Sequence, residues 1–286
     1  MNKMQLISHR WLDPLNSGFK YTESSKEAFE NLLERWYWLE FDINFSKDFI
    51  PFVFHDEWLN RISGWIDNRC FKNMLWNDIK NISLPNNCHF VELEELFKLI
   101  KEKQSSWVFS ALHLKSKFQR LDSLDLLVNV VKGVKGLVDK IFIFDVRLET
   151  ARYLRENNFE LKIFLSVSHE YDKMRFNDFV GWTLYTLDEA IENKDIIDWV
   201  WLDEWDRKSE KWRKILYSQE IINKLRMSNF EIAMISPELH SKSPWLLWWE
   251  SHEDARTKEI LKDRIVEMIN LWVDYICTDY LDYYSC

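Results

Sequence analysis

Glycine and proline are scarce, with five of each in 286 residues, and no Gly- or Pro-rich linker or internal repeat interrupts the chain. The four cysteines, Cys70, Cys88, Cys277 and Cys286, lie far apart with no CxxC spacing. This argues against a disulfide framework and against a thiolate metal site. Cys277, in the apolar run Tyr275-Ile276-Cys277, reads as a small core residue. No long block of single-sign charge suggests a disordered tail. No apolar stretch approaches the ~20 residues that span a bilayer. The start of the chain offers only a short apolar run, Met4 to Ser8, without a preceding basic stretch. A soluble cytoplasmic protein is the expectation. The net charge of -9 disfavours nucleic acid and anionic membrane as partners. A small anionic substrate stays open, since a local cluster of Arg, Lys and metal overrides the net field.

What is present is a chain 47% hydrophobic, enough to bury a full core, and residues 1–286 read as one domain. Sixteen tryptophans are expected mostly in that core. Short apolar runs read as strands at Met4–Ser8, Trp38–Asn44, Trp107–Leu114, Lys140–Phe144, Leu161–Val167, Trp199–Leu202, Glu231–Ile235 and Tyr275–Thr278. Being apolar on both faces, they suit strands covered on both sides. Amphipathic stretches such as Ser25–Arg35, Leu93–Lys103, Leu121–Val131, Ser209–Met227 and Asp254–Leu271 separate them. Eight strands alternating with helices fit a parallel (β/α)8 barrel, although a doubly wound open sheet alternates in the same way.

In a barrel, function sits where strands end. The first strand ends in His9-Arg10. The second carries Glu40 and Asp42, whose i, i+2 spacing points both carboxylates to one side. The run Phe49 to Phe54 ends in His55-Asp56, and the third strand contains His113-Leu114-Lys115. Two enclosed carboxylates repel unless a cation neutralises them, so a divalent metal is the natural occupant. Two histidines can exchange protons near neutral pH, and Arg10 and Lys115 suit a phosphate. Together these groups point to phosphoryl transfer or phosphodiester cleavage.

These residues carry a family resemblance. His9-Arg10, then Glu23-Ser24-Ser25 before Ala28-Phe29, resembles the HR…ENT…AF opening of glycerophosphodiester phosphodiesterases. Leu39 to Ile43 resembles their ELDV, and Ser46 to Asp56 resembles TKDGVPVVFHD. Leu59 to Gly64 is similar to LDRTTG, Leu93 to Leu96 to the LEE element, and Thr278-Asp279-Tyr280 to the terminal TDYP. The match is dense over residues 7–64, thin in the middle, and returns at the C-terminus. It implies a (β/α)8 barrel and hydrolysis of a small glycerol- or sugar-linked phosphodiester to a phosphomonoester and an alcohol. It also implies His9 as general base and His55 as general acid, with Glu40 and Asp42 as ligands of one divalent ion. Arg10 and Lys115 would hold the phosphate and Glu23 would support the cluster. A phospholipase-D-like lyase of related fold, or a non-catalytic barrel that binds a phosphorylated ligand, are the alternatives.

The chain departs from the family pattern in three places. His113 stands where the third metal carboxylate of an E-x-K triplet belongs; imidazole suits Mn²⁺ or Zn²⁺ better than Mg²⁺ or Ca²⁺. Trp11 replaces the glycine after HR. The WTVN strand is missing from its expected place, where Ile232 to Pro237 stands instead, and the Trp182-Thr183 match is coincidental. Further strand ends are polar: His169-Glu170, Asp203-Glu204 with Asp206, and Glu238 with His240. They read either as solvation and capping or as partners for hydroxyls of a sugar-like leaving group. Pro244 to Trp249 is either packing on the rim or a stacking lid.

Overall fold

The computed structural model describes residues 4–11, 20–105, 109–207, 214–240 and 252–284. The segment Pro244 to Trp249 lies outside them. Strands form at Gln5–Ser8 (β1), Trp38–Phe45 (β2), Pro51–Val53 (β3), Val91–Glu92 (β4) and Ser110–His113 (β5). They continue at Ile141–Phe144 (β6), Lys162–Val167 (β7), Leu184–Tyr185 (β8), Trp199–Leu202 (β9), Ile232–Ile235 (β10) and Tyr275–Thr278 (β11). Every strand expected from the sequence is among them. β1, β2, β5, β6, β7, β9, β10 and β11 pair in parallel in that order, and β11 returns to β1 with Tyr275 opposite Gln5. That last pairing closes a (β/α)8 barrel and removes the open-sheet alternative.

The two-sided apolar strands explain the two layers of core. Ile7, Ala111, Phe142, Phe144, Phe164, Trp199, Trp201, Tyr275 and Cys277 form one buried cluster. Their neighbours along the strands, such as Leu6, Leu112, Ile143 and Ile276, belong to a second cluster shared with the surrounding helices. This is the alternation a filled barrel requires. Cys277 is buried, as its setting suggested.

β3 and β4 were not anticipated as strands. β3 lies antiparallel on the far half of β2, Val53 opposite Ile43, and β4 lies antiparallel on β3. They belong to an insertion with its own core, in which Phe54 packs edge-on to Phe90 at 5.1 Å and Phe52 to Phe71 at 5.2 Å. The Phe54 amide donates to the Asp42 carbonyl (3.1 Å), which brings His55 next to the barrel mouth.

Helices follow the sequence pattern with one correction. Lys26–Glu34 is capped by Ser25, Leu93–Lys103 spans its expected range, and Lys258–Asn270 is capped by Thr257. Of the helix expected over Ser209–Met227, residues 209–213 lie outside the described residues, 214–218 are not helical, and Gln219–Met227 forms, capped by Ser218. Lys214 and Tyr217 are instead drawn inward, the Tyr217 hydroxyl lying 2.8 Å from the Ile235 carbonyl oxygen. Helices Leu148–Glu156 and Glu170–Val180 supply the expected alternation after β6 and β7.

The tryptophans also depart from expectation. Trp199 and Trp201 are buried, but Trp36, Trp58, Trp65, Trp182 and Trp272 are exposed. Four of these have left-handed backbone: Trp36 (φ 64), Trp65 (φ 67), Trp182 (φ 67) and Trp272 (φ 55). Trp36 ends helix Lys26–Glu34 in a Schellman motif, its amide bonded to the Leu33 carbonyl (3.2 Å) and that of Tyr37 to Leu32 (3.1 Å). Trp272 takes the same place after Lys258–Asn270. A left-handed residue with a Cβ costs about 1–2 kcal/mol, which glycine avoids.

Candidate active site

The carboxyl ends of the barrel strands surround a cavity of about 250 Å³, lined at one end by His9, Arg10, Glu40, Asp42, His55 and His113. β1 runs directly into His9 and Arg10, and the Arg10 amide donates to Glu40 Oε2 (3.0 Å). Glu40 and Asp42 share one face of β2, and His113 lies opposite Asp42 in the neighbouring β5. Ligand atoms of Glu40, Asp42 and His113 all fall within 4.8 Å of one another.

The electrostatics follow from burial and from these neighbours. Asp42 Oδ1 accepts from His113 Nδ1 (2.8 Å) and pairs with Lys115 Nζ at 3.2 Å. Burial opposes its charge, yet Lys115, His55 and His113 hold the Asp42 carboxyl well below its ordinary range. Glu40 is shifted upward, by burial first and then by Asp42. His113 Nε2 lies 3.0 Å from Asp145 Oδ2. Burial works against its charge, but the bonds to Asp145 and Asp42 raise its pKa to about 9.

The two cavity histidines are held differently. His9 Nδ1 bonds Asp279 Oδ1 at 2.9 Å, and this carboxylate outweighs burial to raise its pKa. His55 Nδ1 bonds Asp56 Oδ1 at 2.6 Å, but burial dominates and lowers its pKa to about 4. Arg61 donates to Asp56 Oδ2 (2.6 Å) and also to Glu23. Glu23 thus lies behind His55 and does not line the cavity. Lys115 lies behind the carboxylates, donating to the His55 carbonyl, and does not line it either.

The two carboxylates fit a divalent cation, and His113, charged and bonded through both ring nitrogens in the metal-free site, would join them by giving up a proton. Asp42 Oδ2 is buried and has no hydrogen-bond partner among the described residues, which leaves an unsatisfied anionic oxygen beside Glu40 and His113. A second trio, Glu204, His252 and Asp254, is differently placed: Arg264 pairs with Glu204 at 2.6 Å and Arg207 with Asp254 at 3.0 Å, so its charge is already compensated.

The opposite end of the cavity carries Asp203 and His240, paired at 2.6 Å, beside Trp201 and Trp205. Two polar strand ends singled out in the sequence therefore reach the cavity. Others do not. Glu238 is buried under Ser236 and Thr278, His169 caps helix Glu170–Val180, and Asp206 pairs with Lys214 at 2.9 Å. Sequence reasoning assigned no role to Asp145, Asp279 and Arg61. The first two directly follow strands β6 and β11, the signal that found His9.

A closed parallel barrel whose strand ends gather two histidines, paired carboxylates and an arginine has the architecture of an enzyme that cleaves phosphoric diesters. The chain belongs to the glycerophosphoryl diester phosphodiesterase family, whose model matches residues 17–282. It is accordingly a phosphoric diester hydrolase. Solved structures agree in fold. A glycerophosphoryl diester phosphodiesterase from Parabacteroides distasonis is 17% identical with a TM-score of 0.66, covering 99% of this chain and 85% of its own. One from Thermotoga maritima is 16% identical with a TM-score of 0.59, covering 100% and 97%. A phosphodiesterase from Oleispira antarctica, in complex with the product sn-glycerol-3-phosphate, is 14% identical with a TM-score of 0.63, covering 98% and 95%. No curated protein matches the sequence. Among the described residues no helix is long and apolar enough to cross a membrane.

Proposed function

We propose that the protein hydrolyses a small, water-soluble glycerophosphodiester to a phosphomonoester and an alcohol, with one divalent ion held by Glu40, Asp42 and His113. The observation that carries this reading is the convergence of those three side chains in the cavity that His9, His55 and Arg10 also line. When bound, such an ion supplies positive charge against the phosphoryl oxygens. Arg10 adds a cation there, and Lys115 fixes Asp42 and the His55 backbone from behind. The product complex of the Oleispira antarctica enzyme favours a glycerol phosphate product here too.

His9 and His55 are the proton-transfer pair. Their opposite shifts leave His55 neutral near pH 7 and favour charge on His9. In the metal-free site this favours His55 as acceptor and His9 as donor, the reverse of the division the family resemblance implies. A hydroxyl of the glycerol moiety gives its proton to His55 as its oxygen bonds to phosphorus. The bond to the leaving alcohol breaks as His9 protonates it, and water then opens the cyclic ester with the roles exchanged. At the other end Asp203, held by His240, accepts from a hydroxyl of the leaving alcohol, which favours a polyol or sugar. A cytoplasmic setting is part of the proposal, supported by the free thiols of Cys70, Cys88 and Cys277.

The test is product analysis on glycerophosphoglycerol and glycerophosphocholine with and without divalent metal. Glycerol phosphate should form only with metal, and faster from glycerophosphoglycerol. Full activity after exhaustive chelation would sink the metal assignment. A cyclic phosphate as end product would make the enzyme a lyase.

A further inference from the structure

We infer that Trp36, Trp65, Trp182 and Trp272 stand at glycine positions because one codon, read as tryptophan in some genetic codes, is decoded as glycine where the protein is made. Three independent observations meet in this reading.

The first is backbone geometry. All four have positive φ, and all four are exposed, between 61% for Trp182 and 71% for Trp36. A bulky aromatic in that region is an outlier, and solvent exposure leaves little burial to compensate. The equivalent helix stops after Leu148–Glu156 and Gln219–Met227 carry Asn158 (φ 55) and Asn229 (φ 65), residues that tolerate the conformation. Phe49 (φ 60) shows that this chain can place one aromatic so. Four tryptophans exceed that exception.

The second is composition. Glycine normally makes up about 7% of a protein, or about 20 residues in a chain this long. The sequence has five glycines and sixteen tryptophans, which together match that expectation. The third is Trp11, which follows His9-Arg10 where the family pattern places glycine. UGA is read as tryptophan in some genetic codes and as glycine in others, so a single reassignment accounts for all three.

The site is affected as well. Trp201 and Trp205 line the cavity but have no left-handed backbone, so geometry does not decide their identity. With glycine at both, the cavity loses its aromatic far wall and accepts a larger alcohol, while Asp203 and His240 remain.

Peptide mass mapping of the protein isolated from cells of its natural source decides the matter. Glycine is expected at positions 36, 65, 182 and 272, and the same map reads positions 11, 201 and 205. Tryptophan at the four left-handed positions would overturn the inference. In parallel, the recombinant chain carrying W36G, W65G, W182G and W272G should melt at higher temperature than the chain with tryptophan. A lower or unchanged melting temperature would show that the backbone does not call for glycine there. Neither readout depends on the proposed reaction.

Discussion

His9 and His55 differ in what holds them, and the difference sets a pH profile. His55 must be neutral to accept a proton, so the rate should rise through about pH 4, the value to which burial lowers it. His9 must be charged to donate, so the rate should fall only above the ordinary 6.5, because Asp279 raises its pKa. Asp279→Asn should move the alkaline limb to lower pH and leave the acid limb in place. His9→Ala and His55→Ala should each lose about 10²–10⁴-fold on an alkyl diester. On a p-nitrophenyl diester, whose leaving group needs no proton, His9→Ala should keep the larger fraction. The opposite ranking would restore His9 as base. His113 is the other residue with a sharp expectation: a nitrogen ligand favours Mn²⁺ over Ca²⁺, and His113→Glu should shift the preference toward Mg²⁺ or Ca²⁺. An unchanged metal ranking would place His113 outside the ligand set.

Among the elements, the loop after β9 is tied to helix Glu170–Val180 by charges with almost no access to water. Lys214 is 1% exposed, donates to Asp172 and lies 2.9 Å from Asp206, which also pairs with Arg175 at 3.1 Å. Lys214→Met would remove the ammonium that the buried Asp172 and Asp206 share and should cost about 3–5 kcal/mol in urea unfolding. A loss below about 1 kcal/mol would mean that water reaches the cluster. This network was not legible in the sequence, because Lys214 falls in a stretch whose pattern also fits a helix. The barrel strands were legible since two-sided burial leaves continuous apolar runs. His9, Glu40, Asp42, His55 and His113 were legible for the same reason, each being a polar residue set within or just beyond such a run. β3, β4 and β8 were missed because two or three residues carry no periodicity. Asp145 was missed because Phe144 ends an apolar run and a lone acid after it resembles any turn residue.

At the scale of the whole molecule, the barrel is closed only by its last strand. A chain ending before Tyr275 would expose the edges of β1 and β10, and it should aggregate rather than yield a smaller folded protein. A soluble, cooperatively melting truncation would contradict this. Metal should act on the same global equilibrium: ligand at a hundredfold its Kd adds about 2.7 kcal/mol. Divalent ion should therefore raise the Tm of the wild type, and Glu40→Ala or Asp42→Ala should abolish both that rise and turnover. The insertion that carries His55 has a different consequence. Its aromatic core is its own, but Val53 of β3 and Val91 of β4 are buried in the cluster shared by the barrel strands and helices, and β3 pairs antiparallel with β2. One of the two proton-transfer groups is thus mounted on a piece whose strands share the barrel's own core. On heating, activity and the circular dichroism of the barrel should then be lost together, and an enzyme silenced several degrees earlier would show that the insertion opens by itself.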